Sequence, residues 1–324
     1  MSSLLLSTKF SIPPLRSGLV PRPRLVERME TRLLQNGIFE RKLTLISAPA
    51  GYGKTTLALE AIKRIGLPIA WLSLDEGDND PMRFLAYLIA AMKQINDGIG
   101  QAASAMLQSP QPPPSEVMLT GLVNEIAAVS QAIMLVLDDY HVIHTPPIHQ
   151  QLAFLLDHQP ANLHLVITTR EDPLLPVSRL RARGQLLEIR QDDLRFTSEE
   201  TADFLERVMG LSLSSDEIAT LERRTEGWIT GLQLAALSMQ GRHDISSFIQ
   251  AFSGSSRFIL DYLIEEVFEQ QTPEVKDFLL RTFILERLSG PLCEVVAENN
   301  NSQELLERLE QSNLFILPLD QSRL

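Results

Sequence analysis

The stretch of sequence with the clearest chemical meaning is SAPAGYGKTT, residues 47–56, which follows the apolar run LTLI. It departs from the pattern Gly-x-x-x-x-Gly-Lys-Ser/Thr only at its first position, where Ala48 replaces glycine. In such a loop the backbone N–H groups cradle phosphates, Lys54 reaches the β- and γ-phosphates, and Thr55 offers its hydroxyl to Mg²⁺. The flanking strand and helix favour this interpretation over a glycine-rich turn that happens to contain lysine.

Two adjacent carboxylates, Asp138 and Asp139, follow a second apolar run, IMLVL. A phosphate-binding loop needs an acidic partner that holds Mg²⁺ from the end of a neighbouring strand, and Asp138 has that position. Asp139 then stands where a catalytic carboxylate would position the attacking water. The alternative is a strand end that meets solvent, and the phosphate loop makes that alternative the weaker one.

A third strand, HLVITTR, ends in Arg170. If this strand lies beside the one that carries Asp138, its last polar residues come near the γ-phosphate. A guanidinium suits bidentate contact with phosphate, so Arg170 is a candidate sensor of that group. Arginine is also common at the exposed ends of strands, and this alternative stays open.

The histidines and the single cysteine suggest no comparable site. His141, His144 and His149 form HVIHTPPIH, which superficially resembles a metal cluster. Their spacing does not suit one helix face and the prolines break regular structure, so a loop is favoured over a zinc site. Cys293 has no evident base partner and is predicted to be a core residue.

The elements that must position these residues alternate between strand and helix over the first 195 residues. Such alternation predicts parallel βαβ units, and continuously apolar strands predict a sheet covered on both faces. The predicted strands are 43–48, 69–75, 133–139, 164–170 and 185–190, and the predicted helices include 25–34, 57–65, 84–95 and 116–130.

The alternation stops near residue 195, and consecutive helices follow. The segment from Pro273 to Leu319 is predicted to form three helices and a terminal strand, FILPL, which is the outline of a winged helix. The predicted fold is therefore a P-loop NTPase parallel sheet with helices on both faces, then an all-α helical domain and a winged-helix domain. The predicted boundaries are an N-terminal arm at 1–24, a nucleotide-binding domain at 25–195, a helical domain at 196–271 and a winged-helix domain at 272–324.

Composition excludes several classes of protein. The chain has 324 residues and a formal net charge of −12, which is poorly suited to neutralising the phosphates of DNA. One cysteine cannot form an internal disulfide and fits a reducing cytoplasm. No apolar run reaches the roughly 18 residues that span a bilayer. The first residues lack the features of a signal peptide, so we expect a cytoplasmic protein with no membrane partner.

Several motifs in order resemble those of the MalT-type regulators, the large ATP-binding members of the LuxR transcription-factor family, which belong to the STAND class of signalling ATPases. The resemblance extends over nearly the whole chain and rests on seven motifs. They are LVPRPRLVERM, LTLISAPAGYGKTTL, AWLSLDEGDNDPMRFLAYLIAAM, LVLDDYHVI, LVITTREDPLLPVSRLRARGQLLEIRQDDLRFTSEE, GWITGLQLAALS and FLLRTFILERLSGPLCEVV.

The resemblance implies a nucleotide-controlled switch within a transcriptional activator. ADP would hold a closed, inactive monomer, whereas ATP with an inducer would permit opening and self-association, and slow ATP hydrolysis would reset the switch. It implies Asp139 as catalytic carboxylate, Arg170 as sensor, and Thr55 with Asp138 at Mg²⁺. The remaining nucleotide-binding residues would be Val20, Arg22, Ala50, Gly51, Tyr52, Gly53, Lys54 and Thr56, with the 20–24 arm along the adenine and GWITGLQLA as the helix that closes over it.

The sequence also departs from this pattern. Gly231-Leu232-Gln233 replaces the Gly-x-Pro that many STAND proteins carry, which puts base contact by this stretch in doubt. The chain stops at Leu324, before the Tyr-His pair expected after the final strand. We therefore expect a shortened chain without its inducer-binding repeats and C-terminal helix-turn-helix. The predicted winged helix carries no basic recognition helix, so this fragment is not expected to bind DNA directly.

Two alternatives remain. One is a conventional P-loop enzyme, either a small-molecule kinase or a motor ATPase. A kinase usually has a mobile, arginine-bearing lid over the phosphates, and SRLRAR at 178–183 is its candidate here. The other is a degenerate fold kept for protein–protein contact, against which Lys54, Thr55, Asp138 and Asp139 argue.

Overall fold

The chain divides into two compact units in its computed structural model, which describes residues 5–15, 18–31, 33–35, 37–240, 244–252, 257–285 and 287–311. The predicted strand FILPL lies outside these residues. Unit 1 comprises Met1–Ser17, Pro21–Ser47 and Gly53–Leu194, and unit 2 comprises Gly18–Val20, Ala48–Tyr52 and Arg195–Leu324. The chain therefore passes from unit 2 to unit 1 within the phosphate loop.

Unit 1 is built on a five-stranded parallel sheet. Its strands are β1 (Leu43–Ser47), β2 (Ile69–Ser73), β3 (Ile133–Asp138), β4 (Leu163–Thr169) and β5 (Leu186–Ile189). The spatial order is β2-β3-β4-β1-β5, and every pair is parallel. Because parallel strands share the edge at which their carboxyl ends emerge, the segments that follow β1, β3 and β4 leave the sheet side by side.

Burial explains why the five strands were predictable. Every residue of β1, β3 and β4 is buried, as expected for a parallel sheet covered on both faces. The buried polar side chains Thr44 and His164 in these strands have hydrogen-bond partners. Thr44 Oγ1 lies 2.9 Å from His164 Nε2, and His164 Nδ1 lies 2.8 Å from the Arg41 carbonyl oxygen. Burial lowers the pKa of His164 to about 4, so its ring is neutral in the core.

Helices surround this sheet, and short helical turns follow β2 and β3. A two-stranded antiparallel ribbon, Leu34–Gln35 with Ile38–Phe39, precedes β1. The described helices of unit 1 are Ser7–Phe10, Pro23–Glu30, Lys54–Ile65, Glu76–Asp78, Pro81–Lys93, Gln101–Leu107, Ser115–Ala127, Tyr140–Val142, Pro146–His158, Val177–Ala182 and Gln191–Leu194.

Among its described residues, the regular elements of unit 2 are all helices. These helices are Ser198–Asp203, Phe204–Val208, Ser215–Thr225, Ile229–Met239, Ile245–Ala251, Arg257–Leu263, Ile264–Phe268, Pro273–Thr282, Gly290–Ala297 and Ser302–Gln311. The last three pack around a small core that includes Val275, Phe278, Cys293, Leu305 and Leu309. Cys293 is fully buried, which confirms its predicted place in a core.

The predicted fold class is confirmed by this architecture, with a parallel sheet that carries the phosphate loop directly after β1 and an all-α region after it. In the described part of the chain, no helix combines the length and the hydropathy that crossing a membrane would require.

Candidate functional site

The first carboxylate of the pair, Asp138, lies between two hydroxyl groups in unit 1. Thr55, in the first turn of helix Lys54–Ile65, donates to Asp138 Oδ1 over 2.8 Å. Thr168, in the neighbouring strand β4, donates to the same oxygen over 2.5 Å. The register that sets Leu137 opposite Ile167 brings the next residue of each strand together. Two of the residues predicted to hold Mg²⁺, Thr55 and Asp138, are therefore in direct contact.

Opposing influences act on the charge of Asp138. Burial, with the nearby carboxylate of Asp139, raises the pKa of Asp138, while the hydrogen bonds from Thr168 and Thr55 lower it. A cation at this position would favour the ionised form. Because hydroxyl and carboxylate oxygens are the donors that Mg²⁺ prefers, the donor set fits this ion.

Asp139 has an unusual backbone conformation, with φ 59° and ψ 42°. Such left-handed geometry is uncommon for residues with a side chain, although aspartate tolerates it better than most. The N–H of Asp139 donates to Thr168 Oγ1 over 3.0 Å, and about half of the side chain is exposed. The strand end therefore directs one carboxylate inward and leaves the other accessible.

Lys54 is buried, with 7% of its surface exposed. Burial, and to a smaller extent the charge of Arg170, lower the pKa of Lys54, while Asp139 and Asp138 raise it, and the net result is a pKa of about 8. An ammonium group in this environment gains more from an added anion than an exposed lysine would. Lys54 thus has the electrostatics expected of a phosphate-binding residue.

The start of helix Lys54–Ile65 suits an anion as well. Gly53 precedes it with φ 75°, and among the described residues no side chain caps this end and no acid lies in its first turn, which includes Thr56. N–H groups at a helix N-terminus, together with the helix dipole, favour negative charge.

Arg170 follows directly on the last residue of β4, Thr169. Its charge acts on both Lys54 and His141, because it contributes to lowering the pKa of each. The structure therefore brings Arg170 into the same electrostatic environment as Lys54, Asp138 and Asp139.

His141, considered above only as part of a possible histidine metal cluster, lies beside Asp139 in this site. Its Nδ1 lies 3.8 Å from Asp139 Oδ1, and no hydrogen-bond partner among the described residues reaches this buried nitrogen. Burial lowers the pKa of His141 to about 3, so the ring is neutral. Its position two residues after Asp139 could have indicated that His141 belongs to the site. The sequence analysis instead considered the three histidines together as a possible metal cluster.

Asn79 was also missed, and it fixes the segment that follows the carboxylates. Its side chain donates to the Val142 carbonyl over 2.8 Å and accepts from the N–H of His144 over 2.8 Å and of Thr145 over 3.2 Å. Nothing in the sequence alone pairs Asn79 with residues 142–145.

The basic N-terminal arm has its own partners. Arg22 is buried, and its guanidinium donates to the carbonyl of Leu194 over 3.1 Å. Arg24 donates to the carbonyl of Asp193, and Arg28 pairs with the Asp193 carboxylate at 2.5 Å. Val20 is buried in unit 2. Contact of Val20 and Arg22 with an adenine stays a prediction.

The remaining loop residues, Ala50, Gly51 and Tyr52, are grouped with unit 2. The carbonyl groups of Ala50 and Gly51 accept hydrogen bonds from Trp228 and Thr230, and Tyr52 is buried. The stretch predicted to close over a base is therefore in contact with the phosphate loop itself.

The segment proposed as a kinase lid has partners of its own. Arg179 forms an ion pair with Asp157. Arg181 forms a bidentate pair with Glu188 over 2.7 and 2.8 Å, which contributes most to lowering the pKa of Glu188 to about 2. Both arginines are therefore engaged in ion pairs with carboxylates of unit 1.

A phosphate loop between β1 and a helix, with a carboxylate at the end of β3, defines an α/β domain of the P-loop ATPase type. Residues 264–324 match the family model of the MalT winged helix domain. The chain is 35% identical over 321 residues to the HTH-type transcriptional regulator MalT of Klebsiella pneumoniae subsp. pneumoniae, an alignment that covers 98% of this chain and 35% of that protein. The MalT of Cronobacter sakazakii is 35% identical over 322 residues, with the same coverage.

These findings confirm the resemblance to MalT-type regulators. The alignment covers nearly the whole of this chain, which spans about a third of their length. Among solved structures, Cdc6p of Pyrobaculum aerophilum has a TM-score of 0.49 at 15% identity, covering 95% of this chain and 90% of that one. Aeropyrum pernix Orc1, solved in complex with DNA, has a TM-score of 0.48 at 15% identity, covering 91% and 84%. Likeness at this level carries no information on function.

Proposed function

We propose that this chain is the nucleotide-controlled switch of a MalT-like transcriptional regulator. ADP with Mg²⁺ defines the resting state, ATP with Mg²⁺ defines the active state, and slow hydrolysis returns the second to the first. Self-association on activation and response to an inducer through further domains are part of the same proposal, as is the absence of direct DNA binding by this segment.

The observation that carries the proposal is the contact of Thr55 and Thr168 with one oxygen of Asp138, beside a buried Lys54 whose pKa is lowered to about 8. A hydroxyl, a carboxylate and a desolvated ammonium are the groups that a magnesium–triphosphate complex needs. A group of residues kept only for contact with other proteins would not require this combination.

Each residue then has a defined part. Lys54 binds the terminal phosphates, while Thr55 and Asp138 hold the metal. Bound Mg²⁺ would neutralise charge on the phosphate oxygens. Asp139, accessible at its strand end, accepts a hydrogen bond from the attacking water, and the neutral His141 beside it limits where that carboxylate can point. Arg170 contacts the γ-phosphate and distinguishes ATP from ADP.

A switch of this kind requires that the two nucleotides differ in affinity for the two states of the protein. Conversion from mostly resting to mostly active takes about 5 kcal/mol of differential binding. Arg170 and Asp139 supply part of it, because only ATP presents a γ-phosphate to them.

Turnover distinguishes this proposal from a conventional P-loop enzyme. Kinases of this type complete about 1–100 cycles per second. The proposal predicts hydrolysis by the purified chain at a few turnovers per hour, with tight nucleotide binding measured by calorimetry. Rapid turnover, or transfer of the γ-phosphate to an added small molecule, would contradict it.

A further inference from the structure

Two side chains of unit 2, Trp228 and Thr230, donate hydrogen bonds to carbonyl groups of the phosphate loop. The indole Nε1–H of Trp228 donates to the Ala50 carbonyl over 3.1 Å. The hydroxyl of Thr230 donates to the Gly51 carbonyl over 3.0 Å, and its backbone N–H donates to the same oxygen over 3.2 Å. Trp228 is itself buried, with 8% of its surface exposed, so its hydrogen bond to Ala50 is shielded from water, whereas that of the Thr230 hydroxyl is partly buried.

The packing around these bonds is too close for larger residues. A Cβ atom on Gly51 would lie 2.5 Å from Thr230 Oγ1 and 2.8 Å from Trp228 Nε1. A Cβ atom on Gly231 would lie 2.5 Å from the Trp228 ring. Gly51, at φ 78°, is therefore needed both for the turn of the loop and for this approach.

The loop also completes the start of a helix. Trp228 is the N-cap of helix Ile229–Met239, and among the described residues no side chain caps this end. The first N–H groups of a helix have no partner within it. The Gly51 carbonyl supplies one to Thr230. The start of this helix and the shape of the loop thus depend on each other.

The direction of the peptide groups connects this contact to phosphate binding. In a trans peptide the C=O of one residue and the N–H of the next point in opposite directions. Bonds that fix the Ala50 and Gly51 carbonyl groups toward Trp228 and Thr230 therefore direct the N–H groups of Gly51 and Tyr52 away from them. Those N–H groups belong to the part of the loop that cradles phosphates in this motif.

We propose that Trp228 and Thr230 are positioning residues that hold the phosphate loop in its anion-binding conformation and couple nucleotide occupancy to helix Ile229–Met239. This inference rests on the proposed function. Neither side chain touches the phosphates; each acts through a carbonyl group of the loop. By linkage, the free energy by which bound nucleotide stabilises the start of the helix equals the free energy by which the formed helix start strengthens nucleotide binding.

The first test removes the two donors; the change at Thr230 keeps its shape, whereas the change at Trp228 also makes the ring smaller. Trp228→Phe removes the indole N–H, and Thr230→Val removes the hydroxyl but keeps the backbone N–H. Thr220→Val is the matched control, because its hydroxyl donates to the Asp216 carbonyl and accepts from Arg223, both in its own helix. Calorimetry with MgADP and MgATP measures the dissociation constants, and thermal unfolding without nucleotide measures stability.

We expect Trp228→Phe to weaken binding of both nucleotides about tenfold and Thr230→Val about threefold, in line with the loss of a single neutral hydrogen bond each. Thr220→Val should bind as the unchanged chain does. Unchanged affinity in both loop variants would overturn the inference. Failure of the unchanged chain to bind nucleotide would instead overturn the proposed function, so the two failures are distinguishable.

The second test does not depend on the stability of those variants. The chain contains two tryptophans, so Trp71→Phe leaves Trp228 as the single fluorophore. Trp71 lies in β2 and bonds Ser73, outside the proposed site. Adding MgADP should shift Trp228 emission with the dissociation constant that calorimetry gives. Binding detected by calorimetry with no change in emission would overturn the coupling, even if Trp228→Phe proved unable to fold.

Discussion

Thr168 donates its hydroxyl hydrogen to Oδ1 of Asp138 over 2.5 Å, across the pair of strands β4 and β3. The same hydroxyl oxygen accepts the N–H of Asp139. The Thr168 side chain therefore lowers the pKa of Asp138, the residue proposed to bind metal. It also holds the backbone N–H of Asp139, the residue proposed to act in hydrolysis.

Replacement of Thr168 by valine should make metal-dependent binding more sensitive to acid. The change removes a hydrogen bond that lowers the pKa of Asp138, while burial and Asp139 continue to raise it. More of the carboxyl group is then protonated at a given pH, so MgATP binding should be lost at a higher pH than in the unchanged chain. Titration of binding against pH measures this, with Thr44→Val as control because that hydroxyl contacts His164 instead. Identical profiles for the two variants would contradict the assignment.

Replacement of Lys54 by alanine should abolish nucleotide binding, lowering affinity by at least 100-fold as expected for the loss of a charge-assisted phosphate contact. It should not lower the melting temperature of the nucleotide-free protein, because it removes a charge that burial disfavours. Lys42→Ala is the matched control, since Lys42 bonds the Leu156 carbonyl. Calorimetry that finds Lys54→Ala and Lys42→Ala equal in affinity would refute the role.

Nucleotide binding should be accompanied by proton uptake near pH 8. The pKa of Lys54 is lowered to about 8 without ligand, and bound phosphates would raise it. Between the two pKa values the free protein lacks a proton that the complex holds, so affinity should fall as pH rises above about 8. The binding enthalpy at pH 8 should therefore differ between buffers of different ionisation enthalpy. Equal enthalpies at pH 8 would show that Lys54 does not change its protonation.

Asp139→Asn should bind ATP normally but hydrolyse it about 100-fold or more slowly, within the usual range for loss of a positioned acid–base group. Asparagine tolerates the left-handed backbone of this position, whereas alanine would add strain. Single-turnover rates, measured with saturating protein, separate hydrolysis from binding. Asp80→Asn is a control, because Asp80 caps helix Pro81–Lys93. Equal rates for Asp139→Asn and the unchanged chain would exclude the proposed role.

The sheet was predictable because burial on both faces leaves an unmistakable run of apolar residues in β1, β3 and β4. Helix Pro146–His158 was not predicted, since Pro146 and Pro147 were read as breaks in regular structure. Proline is well accommodated at the first positions of a helix, where its missing N–H would have no partner in any case.

The sequence predicted which residues could bind phosphate and metal better than it predicted which residues those side chains contact. Lys54, Thr55 and Asp138 follow from local motifs, and the structure brings these three together. Thr168 depends on the order of strands, which the sequence did not supply. Trp228 depends on a contact with Ala50 that spans 178 residues, and no local pattern reports which carbonyl an indole N–H will find. The boundaries proposed at residues 24, 195 and 271 remain predictions.

The nucleotide carried by the freshly purified chain distinguishes a resting switch from a conventional P-loop enzyme. The protein would be denatured and the released nucleotide identified and quantified by ion-exchange chromatography. We expect close to one ADP per chain, held by a slowly exchanging site. Recovery of no nucleotide, together with fast exchange of added ATP and rapid turnover, would contradict a resting switch and favour a conventional P-loop enzyme.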